Sequence, residues 1–289
     1  MADNFRLYAG IVKNGKWYNH ASVHPLTGGV MVMLDSNDKS GAARLLNLMK
    51  GSIEAFYTEE GEEYKLQPQD YPDIKIVDTW KIGYEVIKLV TGETHPIILE
   101  NFYCPRCSRP KYERYTEVKE SWQTLIDKGL ILEFYLQDKD ATFKVSLPDP
   151  ITIESGRMTA GGEFSELVMQ PIALSDMLKI QKDPNAMATE ANMTYATWDK
   201  MIVKIPGIAE KDFNILKMLD DTYFTKKYVT SQKNHEAIIQ AENDNLLGID
   251  AFKRSVMCSN CGAEIGGYLD FTNFFLPLLP KRSDRRRTL

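Results

Sequence analysis

The chain has 289 residues, 43% of them apolar and 26% charged, with a net charge of −5 and a pI near 5.5. That length provides one large domain or two to three small ones with ample core, in a composition ordinary for a soluble globular protein. The acidic balance excludes a surface that attracts nucleic acid or anionic lipid over most of its area.

Residues 1–18 show no basic segment followed by an apolar core, so no secretory signal is expected. Residues 5–35 read as strands: "FRLYAGIV", a turn at Asn14-Gly15, "KWYNHASVH", a break at Gly28-Gly29, then "VMVML". After Ser40 the apolar spacing becomes helical, with Ala43, Leu46, Leu48, Met49, Ile53 and Phe56 recurring mostly at threes and fours. "TEEGEEYKLQPQDYPD" is an acidic, proline-punctuated loop whose pairs Glu59-Glu60 and Glu62-Glu63 read as solvated. A second helix carries Ile76, Val77, Trp80, Tyr84, Ile87 and Leu89 to a stop at Gly92, and "THPIILENFY" runs as a strand into Cys104.

Beyond that, "KYERYTEVKESWQTLIDKG" has a helical stripe of Tyr115, Val118, Trp122, Leu125 and Ile126. "LILEFYLQ" and "ATFKVSLPDPITI" read as strands, the second closed by Pro148 and Pro150, and "FSELVMQ" as another. From Pro171 to about Asn245 the pattern is mostly helical, with Ser175 placed to cap "DMLKIQK". Residues 252–276 return to strand character. No segment reaches the roughly 18 apolar residues a membrane helix needs; "YLDFTNFFLPLLP" is too short and carries prolines.

The expected fold is therefore α+β: an N-terminal α+β domain over 1–93, a split module over 94–118 plus 252–276, and an inserted β-then-α domain over 119–251. A basic tail, 277–289, completes the chain. The split module holds all four cysteines, Cys104, Cys107, Cys258 and Cys261, as two CxxC pairs. A CxxC turn presents two thiolates to one metal, and two such knuckles on short hairpins make a zinc ribbon. Pro105 and the glycine after Cys261 suit these turns. Two pairs that use every cysteine point to one shared four-thiolate Zn2+ site. Independent redox pairs are disfavoured, because polar turn sequence and not an apolar helix follows each pair. Four thiolates close the coordination sphere, so the metal is expected to be structural. Loop-closure cost grows only logarithmically with length, so a folded insertion can separate the knuckles while the metal clamps its base.

The other candidates are weaker. His20, His24, His95 and His235 are scattered, with no spacing that pairs them to a nucleophile, and no enzyme activity is expected. The glycines of "LTGGV" and "TAGGE" lack phosphate-loop context. Trp80, Trp122 and Trp198 fall in apolar stripes and read as core. Arg106, Arg109, Lys111 and Arg114 surround the first knuckle, and Arg285, Arg286 and Arg287 lie in the tail. They leave open a zinc-ribbon nucleic-acid binder. The second knuckle lacks such residues, and "FFLPLLP" reads as a protein-docking segment.

The order "VHPLTGG", then a helix, then "TWKIGYEVIKLVTGE" and "IILENFYCPRC" resembles baseplate and tail-assembly proteins of contractile-tailed bacteriophages. "VSLPDPITIESG", "GEFSELVMQPIALSDMLKI" and "WDKMIVKIPGIAEKDFNILKML" extend that resemblance through most of residues 20–261. The resemblance implies a non-enzymatic, zinc-stabilised component of the baseplate hub, or a tail assembly chaperone not retained in the virion. Its implied partners are other tail proteins, and its implied location is the host cytoplasm during assembly and the virion tail thereafter. Only Cys104, Cys107, Cys258 and Cys261 carry over as functional positions.

Overall fold

The computed structural model describes residues 4–25, 41–91, 96–99, 118–127, 131–154, 161–218, 223–251, 254–257 and 261–267. The expected break at Gly28-Gly29, the strand "VMVML" and the basic tail lie outside these residues. Within them the class is α+β.

The first layer is an antiparallel sheet in the order β1-β2-β3-β4, made of Phe5–Lys13, Lys16–Val23, Ile53–Tyr57 and Glu63–Tyr64. Asn14 and Gly15 have φ of 53° and 76°, the double left-handed turn whose twist matches a hairpin. Helices α1 (Gly41–Ser52) and α2 (Ile76–Thr91) cover this sheet. Leu7, Ile11, Tyr18, Leu48, Met49, Phe56, Ile82 and Val86 are all buried in one core there.

The helical spacing expected to continue through Ile53 and Phe56 stops at Ser52. The Ser52 hydroxyl donates back to the Leu48 carbonyl at 2.7 Å, and the chain then enters β3. A β-branched and an aromatic residue fit a pleated strand, and β2 offers a free edge, pairing Ala21 with Phe56. The acidic loop is also more ordered than expected: it contains β4 and a 3-10 turn, Tyr71–Asp73.

A bulge interrupts the β1–β2 register between Arg6 and Ile11. Gly10 sits in it at φ +68°, and a Cβ there would lie 2.4 Å from the Tyr18 carbonyl oxygen. Asp78, in the first turn of α2, accepts from the Ala9 and Gly10 amides at 2.9 Å each and so ties the helix to the bulge.

The second layer is a three-stranded sheet, β10-β9-β8, of Ile202–Lys204, Gly162–Met169 and Phe143–Ile153. Helices α5 (Glu190–Met201), α6 (Glu210–Met218), α7 (Phe224–Tyr228) and α8 (Gln232–Asp244) supply its cover. Val145, Leu147, Ile151, Leu167, Trp198, Phe213, Phe224 and Ile238 share this second core. β8 does not end at its prolines. Pro148 and Pro150 are exposed on an edge strand, where a missing N–H costs no ladder bond. Between them buried Asn234 stands in for a neighbouring strand: its Oδ1 accepts from the Asp149 amide at 3.0 Å, and its Nδ2 donates to the Asp149 carbonyl at 2.7 Å.

Helix α4 (Leu174–Lys182), although it lies within 119–251, packs Ile180 in a small cluster with Ala186 and Ala196, and Leu174, Met177 and Leu178 against the first core. Its Leu174 is fully buried there, the Leu174 amide donates to Ile74 O at 2.9 Å, and Ile76 N donates to Ile172 O at 3.0 Å. Gln181 Oε1 accepts from the Ala42 amide near the start of α1 at 2.9 Å. Ala173, not Ser175, occupies the cap position of α4, and it makes no side-chain cap. The inserted segment thus divides between the two cores.

Candidate metal centre

Each cysteine pair is bracketed by a two-stranded antiparallel hairpin. β5 (Pro96–Leu99) pairs with β6 (Val118–Ser121), from Pro96↔Ser121 to Leu99↔Val118, and the enclosed residues 100–117 carry Cys104 and Cys107. β12 (Arg254–Met257) pairs with β13 (Glu264–Gly267), from Arg254↔Gly267 to Met257↔Glu264, and encloses residues 258–263 with Cys258 and Cys261. The helix expected through Tyr115, Val118 and Trp122 is therefore shorter. Val118 is in a strand, and α3 covers only Trp122–Asp127.

Cys104, Cys107 and Cys258 themselves lie outside the described residues, as do His95, Arg106, Arg109, Lys111 and Arg114. Cys261 is exposed, in a turn. Gly262 follows it at φ +65°, with nothing within 4 Å of where a Cβ would be. That left-handed glycine after the second cysteine of a pair suits a knuckle turn. Among the described residues no cluster of His, Cys, Asp or Glu side chains is placed to hold a metal ion.

The long separation between the pairs closes through a second device. β7 (Ile131–Phe134), which follows β6 and α3, pairs antiparallel with β11 (Gly248–Ala251), from Ile131↔Ala251 to Phe134↔Gly248. Only two residues separate the end of β11 from the start of β12. The segment that follows the first hairpin, past α3, and the segment that precedes the second are thus hydrogen-bonded neighbours. Ile126 of α3, Ile249 of β11 and Ala263 of the second turn all pack against the first core. Gly248, at φ +94°, passes so close to α2 that a Cβ would meet Val77 Cβ at 3.0 Å.

A partly buried polar cluster fixes this ribbon to the N-terminal sheet. Glu133, on the inward face of β7 beside Ile249, accepts from Tyr8 OH at 2.5 Å, Lys81 Nζ at 2.9 Å and Tyr135 OH at 3.0 Å. The Arg6 guanidinium lies 5.1 Å from the Tyr135 ring centre and donates to Leu136 O at 3.0 Å. Burial works to raise the Glu133 pKa, but the Lys81 charge and the three donated hydrogen bonds outweigh it and hold the carboxyl below its usual value. Tyr8 and Tyr135 are pushed up, first by burial and then by the Glu133 charge. Asp78 is pushed up to about 6 by complete burial, against the backbone amides it accepts from.

The buried Arg6 Nε has no hydrogen-bond partner among the described residues, but these groups otherwise largely satisfy one another: Tyr8, Lys81 and Tyr135 all donate to Glu133. His235 is similar. Its Nε2 meets the Val229 carbonyl at 2.6 Å, with the Tyr195 and Trp198 rings beside it at 5.7 and 5.5 Å. Trp198 is buried as expected and Trp80 is half-buried, whereas the side chain of Trp122 lies outside the described set. The acidic loop engages more than solvent, with Glu62 bonded to Lys16 at 2.7 Å and Glu59 to Asn19 at 2.9 Å. Glu133 was findable in sequence as the lone charge inside the apolar stretch "LILEFYL". No helix among the described residues is long and apolar enough to cross a membrane. Comparison with family models, with curated proteins and with solved structures finds no match.

Proposed function

We propose that this chain is a non-enzymatic structural or assembly component of a contractile phage tail baseplate, in its hub region, held by one structural zinc. Cys104, Cys107, Cys258 and Cys261 are the ligands. The observation that carries the metal part is the pair of hairpins, each bracketing one CxxC, with the segment after the first and the segment before the second paired from Ile131↔Ala251 to Phe134↔Gly248. When bound, four-thiolate zinc contributes folding energy and leaves no open position for water. The chain's own residues do the rest: Glu133, Lys81 and Tyr8 seat the β7–β11 ribbon on the N-terminal sheet.

The baseplate assignment is supported by the resemblance of the quoted segments, and it places the chain in the host cytoplasm during assembly and in the tail if retained. Its action is through protein contacts. The test is sedimentation of lysates from phage-infected cells, with the chain tracked by mass spectrometry at low and high salt. Co-sedimentation with baseplate proteins that persists at high salt is the expected result. Release by salt together with nuclease would instead identify a nucleic-acid binder, whose phosphate contacts weaken steeply with salt.

A further inference from the structure

β1 is an edge strand, and only part of its outer edge is covered. Leu136, just past β7, donates its amide to Tyr8 O at 2.7 Å and so joins that edge. The chain then turns away. Asp138 accepts from the Asp140 amide at 2.7 Å, and Asp140 accepts from the Thr142 amide at 2.9 Å and its hydroxyl at 2.7 Å. The turn leaves a cleft of about 270 Å³ between consecutive residues Ala9–Lys13 of β1 and residues 139–142.

The backbone of β1 within that cleft has hydrogen-bonding capacity to spare. Lys13↔Lys16 closes the two-residue turn, which makes it the hydrogen-bonded pair of the ladder, and Val12↔Trp17 is the next, non-bonded pair. The Val12 N–H and C=O therefore point away from β2, toward the open edge. Val12 is 45% exposed, and among the described residues no backbone group beyond Leu136 is bonded to this edge.

Ion pairing in the cleft leaves lysines in excess. Lys13 is paired with Asp70 and Asp73, at 3.0 and 2.8 Å, and Asp140 accepts from Thr142, a bond that leaves its negative charge in place. Lys75 and Lys139 also line the cleft, and neither makes an ion pair among the described residues. Burial lowers the Lys75 pKa against the pull of Asp176, Asp78 and Asp73, none of which reaches it as an ion-pair partner. An anion arriving at Lys75 thus meets a partly desolvated ammonium that has no direct ion-pair partner among the described residues.

We infer that the edge of β1 from Gly10 to Lys13 receives an extended acidic segment of a partner protein, which adds as a strand through Val12 and sets a carboxylate at Lys75. Strand addition supplies affinity through main-chain bonds, and the side-chain pockets supply selectivity. The inference rests on the proposed role in protein assembly for its partner, and it names that partner's chemistry.

The test uses the full chain, immobilised and panned against a displayed library of random linear peptides of strand length. Enriched peptides should be rich in Asp or Glu. Their affinity should fall at least about tenfold in Lys75→Met and in Lys139→Glu, the loss expected for one charge-assisted contact. Val12→Pro, which removes the outward N–H without touching a ladder bond, should weaken them similarly, while Lys182→Met on α4 should not. Lys139 lies on an exposed loop, so its variant keeps the test alive if Val12→Pro fails to fold. No enrichment, enrichment without acidic residues, or equal binding to all variants would overturn the inference. So would binding matched by inorganic phosphate and indifferent to Val12→Pro, which describes a simple anion site. The panning uses the isolated chain, so failure to co-sediment with tails leaves its result unaffected, and the reverse also holds.

Discussion

Ile131 and Ala251 are register partners across an antiparallel ribbon, although nearly the whole inserted segment lies between them in sequence. The partnership brings the segment that follows the first hairpin beside the segment that precedes the second. It also explains how the insertion is tolerated: its two ends are zipped together, so the remainder can grow without separating the hairpins.

Seating of that ribbon depends on Glu133. Its ion pair with Lys81 is largely buried, the two side chains being 14% and 11% exposed. Glu133→Ala strands the Lys81 charge and is expected to cost about 3 kcal/mol in urea unfolding. Combining Glu133→Leu with Lys81→Met should restore most of that loss. A double variant as unstable as Glu133→Ala would show that the tyrosine bonds, and not the ion pair, dominate.

Asp78 should impress a distinctive pH dependence on stability. Its carboxyl titrates near 6 in the folded chain against 3.8 for the free group. The native state therefore binds more protons than the unfolded state between those values, and stability falls as pH rises through that window. Relative to Asp78→Asn, which carries a roughly constant penalty from its amide facing the Gly10 N–H, the native chain should lose on the order of 3 kcal/mol from about pH 4 to above about pH 6. Urea midpoints for both chains across this range check it; parallel curves would refute the burial account.

Asn234→Ala should destabilise the second core by about 2 kcal/mol, because it leaves both the amide and the carbonyl of Asp149 without their partner. Asn234→Asp keeps the acceptor but sets a carboxylate oxygen against the Asp149 carbonyl in a buried site, so it should cost at least as much as Asn234→Ala. Thermal unfolding followed by circular dichroism reads the order.

Gly10→Ala combines a left-handed φ with a contact of 2.4 Å against backbone. The expected cost is about 2 kcal/mol or more, with faster amide exchange at Ala9 and Gly10 as the Asp78 bonds loosen. Gly15→Ala, also at positive φ but with nothing within 4 Å, should cost less.

Much of the architecture was legible in local signals. Asn14-Gly15 announced the first hairpin, and the stripe from Ile76 to Leu89 announced α2. The misreadings share a cause. Ile53, Phe56 and Val118 sit at helical spacing, but each falls where a strand edge is waiting, and pairing outweighs the weak preference of so few residues. Pro148 and Pro150 signal a strand end only if the strand is internal; at an edge, with Asn234 completing the bonds, they do not. α4 could not be assigned to the first core from sequence, because the contact that ties it there, from the Leu174 amide to Ile74 O, is long-range. Around the proposed ligands, the run before Cys104 gave β5 and residues 252–276 gave strands, whereas the helical spacing at Val118 concealed β6. The β7–β11 pairing of the flanking segments, and Glu133 on it, required long-range contacts that no local pattern encodes.

The central claim is one metal shared by both knuckles. Native mass spectrometry of the full chain, with parallel elemental analysis, tests it most directly. The prediction is about one zinc per chain, as a single four-thiolate site requires, lost entirely in Cys258→Ser, with faster amide exchange in β5 and β6 as well as in β12 and β13. Two zincs, none, or a Cys258→Ser chain whose β5–β6 hairpin exchanges as before would contradict it.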